Sequence, residues 1–438
     1  MDKVIVLMLC KDFCEYVPQH VEQITKLGFK NIIICNCSSG RPLANLSDEV
    51  TSSKEIQIAG VDVFNHQFVD YSHARNALFD YADKLYKEQK VYLINDDRDK
   101  LEISDIRLFE RTVNHMLTKR VQSSLSINMR WWDPRHDPEQ PNKMYFIKQK
   151  TMNGDRATSW YLPKLVVSHQ RSFRYYGYAH EYLDGTRGEV LDGIEQFQQV
   201  ATQEQWNAIS AERIPLLEKQ LGELQADKKS QLYARTLFYL GREYTSVSNE
   251  KAYEMLSQRA NLDGFMEEKF EATKLCAELA SNLLGKSSEG LTKEVVCEWF
   301  EKALKLQKRA EIYVAYAKYL LGKNRLPEIG NHHHKDSNSR DEDISKAHEL
   351  VQQCMKLKPP ASNVLLFVDE TSYGDDRQKL YMELFPPKYE RPSMCEVCFE
   401  STEVQRLLPC SHWLCSGCVA KTTSQSCPFC RQPITAVG

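Results

Sequence analysis

No charge of one sign dominates this sequence: 57 Lys and Arg face 60 Asp and Glu, for a net charge of −3 over 438 residues. No basic face for nucleic acid or for an anionic membrane surface is therefore expected. Long apolar runs are scarce as well. Val4-Ile5-Val6-Leu7-Met8-Leu9-Cys10 spans seven residues behind the net-neutral pair Asp2-Lys3. That is short for a signal core and far short of a membrane span, so it reads as a buried first strand. With no secretory signal in view, a reducing, cytoplasmic location is expected, where clustered thiols mean metal rather than disulfides.

Cysteine itself is plentiful, and its distribution is uneven. Seven of the 14 cysteines lie in the last 44 residues. The upstream seven, Cys10, Cys14, Cys35, Cys37, Cys276, Cys297 and Cys354, are scattered and read as small buried hydrophobes.

The length predicts two or three domains. Lys3–Cys10, Lys30–Cys37 and Val91–Ile94 are expected strands, and Pro18–Leu27 and Ser72–Tyr86 expected helices. This alternation argues for an α/β domain with a mainly parallel sheet, whose ligands sit beyond the carboxyl ends of the strands. The turn Ser38–Pro42 and the acidic turn Asn95–Asp99 are expected there. From about Ile209 the pattern is helical alone. Tyr233, Leu237, Leu240 and Tyr244 recur at helical spacing, as do Ile344, Ala347, Val351 and Cys354. Glu267–Leu284, Thr292–Leu306 and Arg309–Leu321 are further expected helices. An uneven period of roughly 40 residues suggests a tetratricopeptide-like array, with a plain helical bundle as the alternative. Gly330–Asp343, containing His332-His333-His334, is expected as an exposed loop, and Pro386–Pro392 as a linker.

The tail carries eight soft donors: Cys395, Cys398, Cys410, His412, Cys415, Cys418, Cys427 and Cys430, with gaps of 2, 11, 1, 2, 2, 8 and 2 residues. Zinc takes four thiolate or imidazole ligands in a tetrahedron, and a Cys-x-x-Cys turn supplies two of them. Eight ligands make two closed sites with no open position for catalysis. Spacing permits consecutive or interleaved wiring, although the short His412–Cys415 gap favours interleaving. So short a segment cannot bury a core of its own, and the metals are expected to supply most of its folding free energy, helped by Leu408 and Leu414.

This ligand order resembles the RING finger. The resemblance implies a cross-brace in which Cys395, Cys398, Cys415 and Cys418 hold one zinc and Cys410, His412, Cys427 and Cys430 the other. It also implies ubiquitin-ligase activity, with a ubiquitin-conjugating enzyme and ubiquitin as partners. Val397, within the first Cys pair, and Pro428, after the seventh ligand, would face the conjugating enzyme. Arg431, after the eighth, would hydrogen-bond both partners and hold the thioester in an attackable pose. Thr422 departs from the pattern, where the family often carries a bulky residue.

Residues 3–285 resemble, diffusely, family 2 glycosyltransferases that carry tetratricopeptide-like helices. The matching segments are Lys11-Asp12 after the first strand, Asn36-Cys37-Ser38-Ser39, Asp70–Leu78 with its Ala-Arg-Asn, and Gly177-Tyr178-Ala179-His180-Glu181. Arg235–Tyr244, Ala252, Arg259 and Gly264–Glu268 resemble the helical pairs that follow. A nucleotide-sugar donor, an acceptor of unknown class and a Mn or Mg ion are implied. Hard oxygen ligands suit such an ion, and two registers compete for the family's Asp-x-Asp: Asn95-Asp96-Asp97 and Asp97-Arg98-Asp99. Asp97 belongs to both. By the resemblance Asp99 and His180 are further ligands, Glu181 an acid or base, and Arg75 a partner of the diphosphate, with Asn36 in the nucleotide turn. Asn36 and Asn95 stand where the family has Asp, which keeps open an inactive, adaptor-like domain. Trp131-Trp132-Asp133-Pro134 reads either as a sugar-stacking platform or as a pair straddling core and surface.

The expected architecture is thus multidomain. A GT-A-like α/β domain at 1–212 precedes an all-α array at 213–360, a linker at 361–390 and a zinc-stabilised RING finger at 391–438.

Overall fold

The structure is a computed structural model. It describes residues 1–11, 16–37, 60–118, 124–132, 148–151, 154–157, 159–169, 173–184, 190–199, 203–284, 290–322, 337–355, 392–395, 397–400, 403–408, 412–421, 426–431, 434 and 436–437. Two compact units emerge: Met1–Lys148 with Arg156–Gly264 and Ser362–Leu366, and Gln149–Asp155 with Phe265–Ala361 and Phe367–Gly438.

The first unit is built on an eight-stranded sheet. Its strands are β1 (Val4–Cys10), β2 (Asn31–Asn36), β3 (Val61–Asn65), β4 (Val91–Asp96), β5 (Asp99–Ile103), β6 (Ser124–Trp132), β9 (Ser159–Val167) and β12 (Val190–Gln199). Short pairs β7 (Lys148–Thr151) with β8 (Gly154–Ala157) and β10 (Tyr175–Tyr176) with β11 (Tyr182–Leu183) complete the strands up to there. The sheet order is β3-β2-β1-β4-β9-β6-β12-β5. β1, β2, β3 and β4 run parallel, whereas β9 is antiparallel to both β4 and β6. The sheet is therefore mixed, with four of its seven pairings parallel, β6 with β12 among them. β9 carries Pro163 inside the sheet, next to a register shift opposite Leu125 and Ser126, where the ladder tolerates a missing N–H.

Every residue of β1 is buried, the burial expected of a strand covered on both faces. Helices α1 (Val17–Lys26), α2 (Tyr71–Leu85) and α3 (Ile106–Thr118) supply the cover. Val17, Val21 and Ile24 of α1 join Phe109, Val113 and Met116 of α3 in one core with Val4, Val6 and Met8. The chain runs from β1 outward to β2 and β3, then returns to β4 on the other side of β1. This reversal is a topological switch, and its crevice opens at the carboxyl ends of β1 and β4.

Three helices follow in the same unit: α4 (Gln203–Glu223), α5 (Gln231–Tyr244) and α6 (Asn249–Ala260). α5 packs against both α4 and α6. Gly241 permits the α5–α6 approach, because a Cβ there would meet Leu256 Cγ at 2.6 Å.

The second unit holds α7 (Met266–Leu283), α8 (Lys293–Leu306), α9 (Ala310–Leu320) and α10 (Ser337–Met355). α7 packs on α8 and α9 on α10, an array of paired helices. Two sequence expectations shift. Asn95 and Asp96 belong to β4, so the acidic turn shrinks to Asp97-Arg98. Ser337–Asp343 are helical rather than loop, while His332, His333 and His334 lie outside the described residues. The 361–390 segment lies outside them too. Among the described residues, no helix is long and apolar enough to cross a membrane.

The tail folds around β13 (Val404–Leu408), β14 (Trp413–Cys415), α11 (Ser416–Ala420) and β15 (Ala436–Val437), with β13 central.

Candidate metal centre and sheet-edge site

In the tail, β13 and β14 pair with Val404 opposite Cys415 and Gln405 opposite Leu414. Cys415 ends β14 and caps α11, its Sγ accepting from the Cys418 N–H at 3.3 Å. One turn thereby delivers two sulfurs to the same place. The Cys415 N–H in turn donates to Cys395 Sγ at 3.3 Å, and Cys398 Sγ lies 3.7 Å from Cys415 Sγ. Cys395, Cys398, Cys415 and Cys418 offer four ligand atoms within 4.8 Å of one another. His412, Cys427 and Cys430 form a second such group, with His412 Nδ1 3.5 Å from Cys427 Sγ. These groups join the first thiol pair to the third, and His412 to the fourth pair. Cys410 lies outside the described residues.

The first and third of the three Cys-x-x-Cys turns close alike. The Phe399 N–H donates to the Cys395 carbonyl at 2.7 Å, and the Arg431 N–H to the Cys427 carbonyl at 2.9 Å. Phe399 and Arg431 both adopt left-handed backbone, at φ 59° and 60°. Such a conformation is uncommon for residues with a Cβ. Leu407, Leu414 and Trp413 fill the small core between the thiols, with Leu414 as expected; the Leu408 side chain is outside the description.

The donor chemistry of the first group fits a soft dication. Burial and the neighbouring thiols Cys415, Cys398 and Cys395 push Cys418 up to about 12. Burial also opposes ionisation of Cys395, yet backbone N–H groups of Cys415, Cys398 and Val397 bring it down to about 6. Four thiolates this close cannot all ionise without a counter-cation, and zinc would be held there in a closed tetrahedral set.

Residues 391–437 match the family model described as "Zinc finger, C3HC4 type (RING finger)". That tail is a RING-type zinc finger. Over 41 residues the chain is 46% identical to the human protein named "E3 ubiquitin-protein ligase CBL-C" (Homo sapiens), a stretch covering 9% of this chain and 9% of that protein. Around the RING cluster, Val397 and Phe429 are 42% exposed and Phe399 is 74% exposed. Pro428 and Arg431 are exposed as well. Phe429 stacks on His412 at 5.1 Å. Phe399 and Phe429 escaped the sequence reading; the signal for Phe399 is its place directly after the second ligand. Thr422 lies outside the described residues.

At the sheet edge, two segments far apart in the chain come together. Asn76 bridges to Tyr175, its Nδ2 donating to the Tyr175 carbonyl and its Oδ1 accepting from the Tyr175 N–H, both at 2.9 Å. The Tyr71 N–H donates to the Tyr178 carbonyl at 3.1 Å. This stitching sets α2, which opens on the Asp70 cap, against the loop carrying Gly177–Glu181. Arg75 then reaches two carboxylates. Its Nη1 and Nη2 donate to Asp96 at 2.7 and 3.0 Å, and its Nε donates to Glu181. Burial opposes the Glu181 carboxylate, but Arg75 outweighs it and holds the group below the usual range. Asp96 is likewise held low against burial by Arg75, then Lys164.

Asp97 is buried in the turn after β4 and its Oδ2 accepts from the Lys11 N–H at 2.8 Å, which ties the ends of β1 and β4 together. Asp99 is fully buried, with Lys164 Nζ at 3.3 Å and Gln198 Nε2 at 3.2 Å. Asn36 donates to Asn65 at 2.8 Å, at the ends of β2 and β3. His180 has φ 53° and its Nε2 lies 2.6 Å from Glu243 Oε1 on α5. Burial, then Arg213, lowers His180 to about 4. Against burial, His180, Arg213 and Ser210 lower Glu243 to about 2.

Asp97, Asp99 and His180 do not form a group of three ligand atoms within 4.8 Å; among the described residues, only the two tail groups do. A hard cation is often held by one or two carboxylates plus substrate phosphates rather than by an all-protein cage. Asp97 accepts from the Lys11 N–H, and Asp99 already serves Lys164. Asp96, Lys164 and Glu243 were missed in the sequence. Asp96 had a signal, since it sits in one of the two competing registers. Asp12, Ser38 and Ser39 are outside the described residues, as are the side chains of Trp131 and Trp132.

Proposed function

We propose that this chain is a RING-type ubiquitin ligase whose front domain transfers a sugar from a nucleotide-sugar to an acceptor. The ligase reading rests on the exposed set Val397, Pro428 and Arg431 around a buried thiol cluster, and on likeness to a protein named as a ligase. Val397 and Pro428 would dock the conjugating enzyme, with Phe399 and Phe429 widening the apolar contact. Arg431 would hydrogen-bond enzyme and ubiquitin together and restrict the thioester to an attackable geometry. Self-ubiquitination with a panel of conjugating enzymes tests this. Activity lost in Val397→Ala and Arg431→Ala, with zinc retained, supports it; variants as active as wild type would sink it.

The transferase reading adopts a GT-A-like fold for the α/β domain. It is supported by a switch point between β1 and β4 with Asp97, Arg75 and Glu181 at the carboxyl edge. In this reading Asp97 and His180 would hold a Mn or Mg ion, and Asn36 would meet the nucleotide. The bound cation would offset charge collecting on the leaving diphosphate. Glu181, kept ionised by Arg75, would take the proton of the acceptor hydroxyl. Turnover of some sugar nucleotide with manganese, abolished in Asp97→Ala, is the expected result.

One observation favours a second reading. Arg75 and Lys164 already neutralise Asp96 and Asp99, as expected of an inactive domain that serves the finger as a substrate adaptor. Absence of hydrolysis and of transfer with every sugar nucleotide tried would favour it. We place the α/β domain at 1–212, a tetratricopeptide-like array at 213–360, a linker at 361–390 and the finger at 391–438, with α4 continuous through the first boundary. Leu240-Gly241 followed by Tyr244 supports the tetratricopeptide likeness.

A further inference from the structure

Two histidines that neither reading above uses meet where β3 ends and α2 begins. His66 follows the last residue of β3, and His73 lies in the first turn of α2. The Nε2 atom of His66 is 3.0 Å from the Nδ1 atom of His73. Their ring centroids are 4.9 Å apart, with planes at 25°. The nitrogens are thus much closer than the centroids, so each ring turns a nitrogen toward the other. His66 is half-buried and His73 exposed, so water reaches the pair.

The backbone of each histidine is fixed by its own element. The His66 N–H donates to the Asn36 carbonyl at 2.9 Å, which carries the β2–β3 ladder one residue further. The His73 N–H donates to Asp70 Oδ1 at 2.7 Å, the cap that opens α2. Between the two elements Phe64 of β3 stacks on Tyr81 of α2, with centroids 4.3 Å apart and planes at 13°. The Phe64 and His66 rings meet edge to face at 6.3 Å. A pair preset in this way loses little further freedom on taking up an ion.

Two imidazole nitrogens each about 2.0–2.1 Å from one ion, on adjacent corners of its coordination shell, sit about 3 Å apart. The gap between His66 and His73 has that width. Without an ion one ring donates to the other across it, and a cation takes the place of that proton. Imidazole suits zinc, copper and nickel, whereas magnesium, calcium and manganese prefer carboxylate, carbonyl and water. We infer that His66 and His73 form a two-histidine chelate for a borderline transition-metal dication, completed by water, that clamps the end of β3 to the first turn of α2. It uses none of the tail's thiols and depends on neither activity proposed above.

The probe is nickel, which does not oxidise thiols, titrated calorimetrically into the zinc-loaded full chain. His332→Ala, His333→Ala and His334→Ala are made in every sample, so that this tract does not contribute. Nickel is expected to bind this parent chain. His66→Gln or His73→Gln alone should weaken the affinity by about a hundredfold, because the second ligand of a chelate binds intramolecularly. Affinity that stays within about tenfold of the parent in either variant overturns the chelate. A parent chain that binds no nickel at millimolar concentration overturns it as well. A second readout needs neither glutamine variant. Nickel at about 100 times its dissociation constant should raise the melting temperature of the parent chain by several degrees, since an ion bridging two elements binds only the folded state. An unmoved transition overturns the clamp.

Discussion

Arg75 and Asp96 are joined by two parallel hydrogen bonds of 2.7 and 3.0 Å. The pair links the first turns of α2 to the last residue of β4, and the third donor of Arg75 extends it to Glu181. One guanidinium thus sets the geometry of two carboxylates at the switch point of the sheet.

Removing that guanidinium leaves Glu181 without its ion-pair partner and Asp96 with Lys164 alone, at 3.6 Å, in a largely dry place. Arg75→Met is expected to lower the unfolding free energy by about 3–5 kcal/mol, measured by denaturant titration of the full chain. Asp96 and Glu181 have depressed folded-state pKa values. Their contribution is present above the ordinary carboxylate range and is lost as pH falls through the depressed values. The gap between wild type and Arg75→Met should therefore narrow as pH drops below about 4.

His20 makes a second pH prediction. It is buried in α1, and burial, then Lys100, lowers it to about 4. The unfolded chain takes up this proton near the ordinary histidine value, about 6.5. Between those values the unfolded state binds more protons, so stability falls on acidification and the loss is complete below about 4. The loss is on the order of 3 kcal/mol. His20→Phe should flatten the stability profile over that window; an unchanged slope would refute the assignment.

The wiring of the RING yields a stoichiometry. The full chain should carry two zinc ions, and the double variant Cys398→Ser with Cys415→Ser should retain one, because both thiols serve the same group. Consecutive wiring would place those two cysteines on different ions and cost both. Native mass spectrometry counts the ions.

Phe399 separates backbone from side chain. At φ 59° glycine is at ease, so Phe399→Gly should leave the melting temperature unchanged or slightly raised. Removing a ring that is 74% exposed should nevertheless weaken capture of the conjugating enzyme, read by titration of the full chain. Unweakened capture would remove Phe399 from the docking surface.

Much of this was readable before any coordinates. β1, β2, α1 and α2 follow from local periodicity, because each buries a face that its own residues define. The donors in the tail were equally plain, since Cys-x-x-Cys spacing reflects what one turn can present to one ion. β6, β9 and β12 were not readable, because their pairing is non-local: β9 runs antiparallel between β4 and β6, and no short window records that. Glu243 was hidden for a similar reason, as one acid in a helix whose apolar period accounts for everything around it.

By itself, the amino-acid sequence determined the identity of the soft donors, the strand–helix alternation and the presence of Asp97 after a strand, all properties of neighbours along the chain. Only the tertiary structure decided which thiols share a group, that Asp99 is spent on Lys164, and that His180 answers to Glu243. Those outcomes depend on distances between segments far apart in sequence, which burial, charge and hydrogen bonding settle only when the whole unit closes.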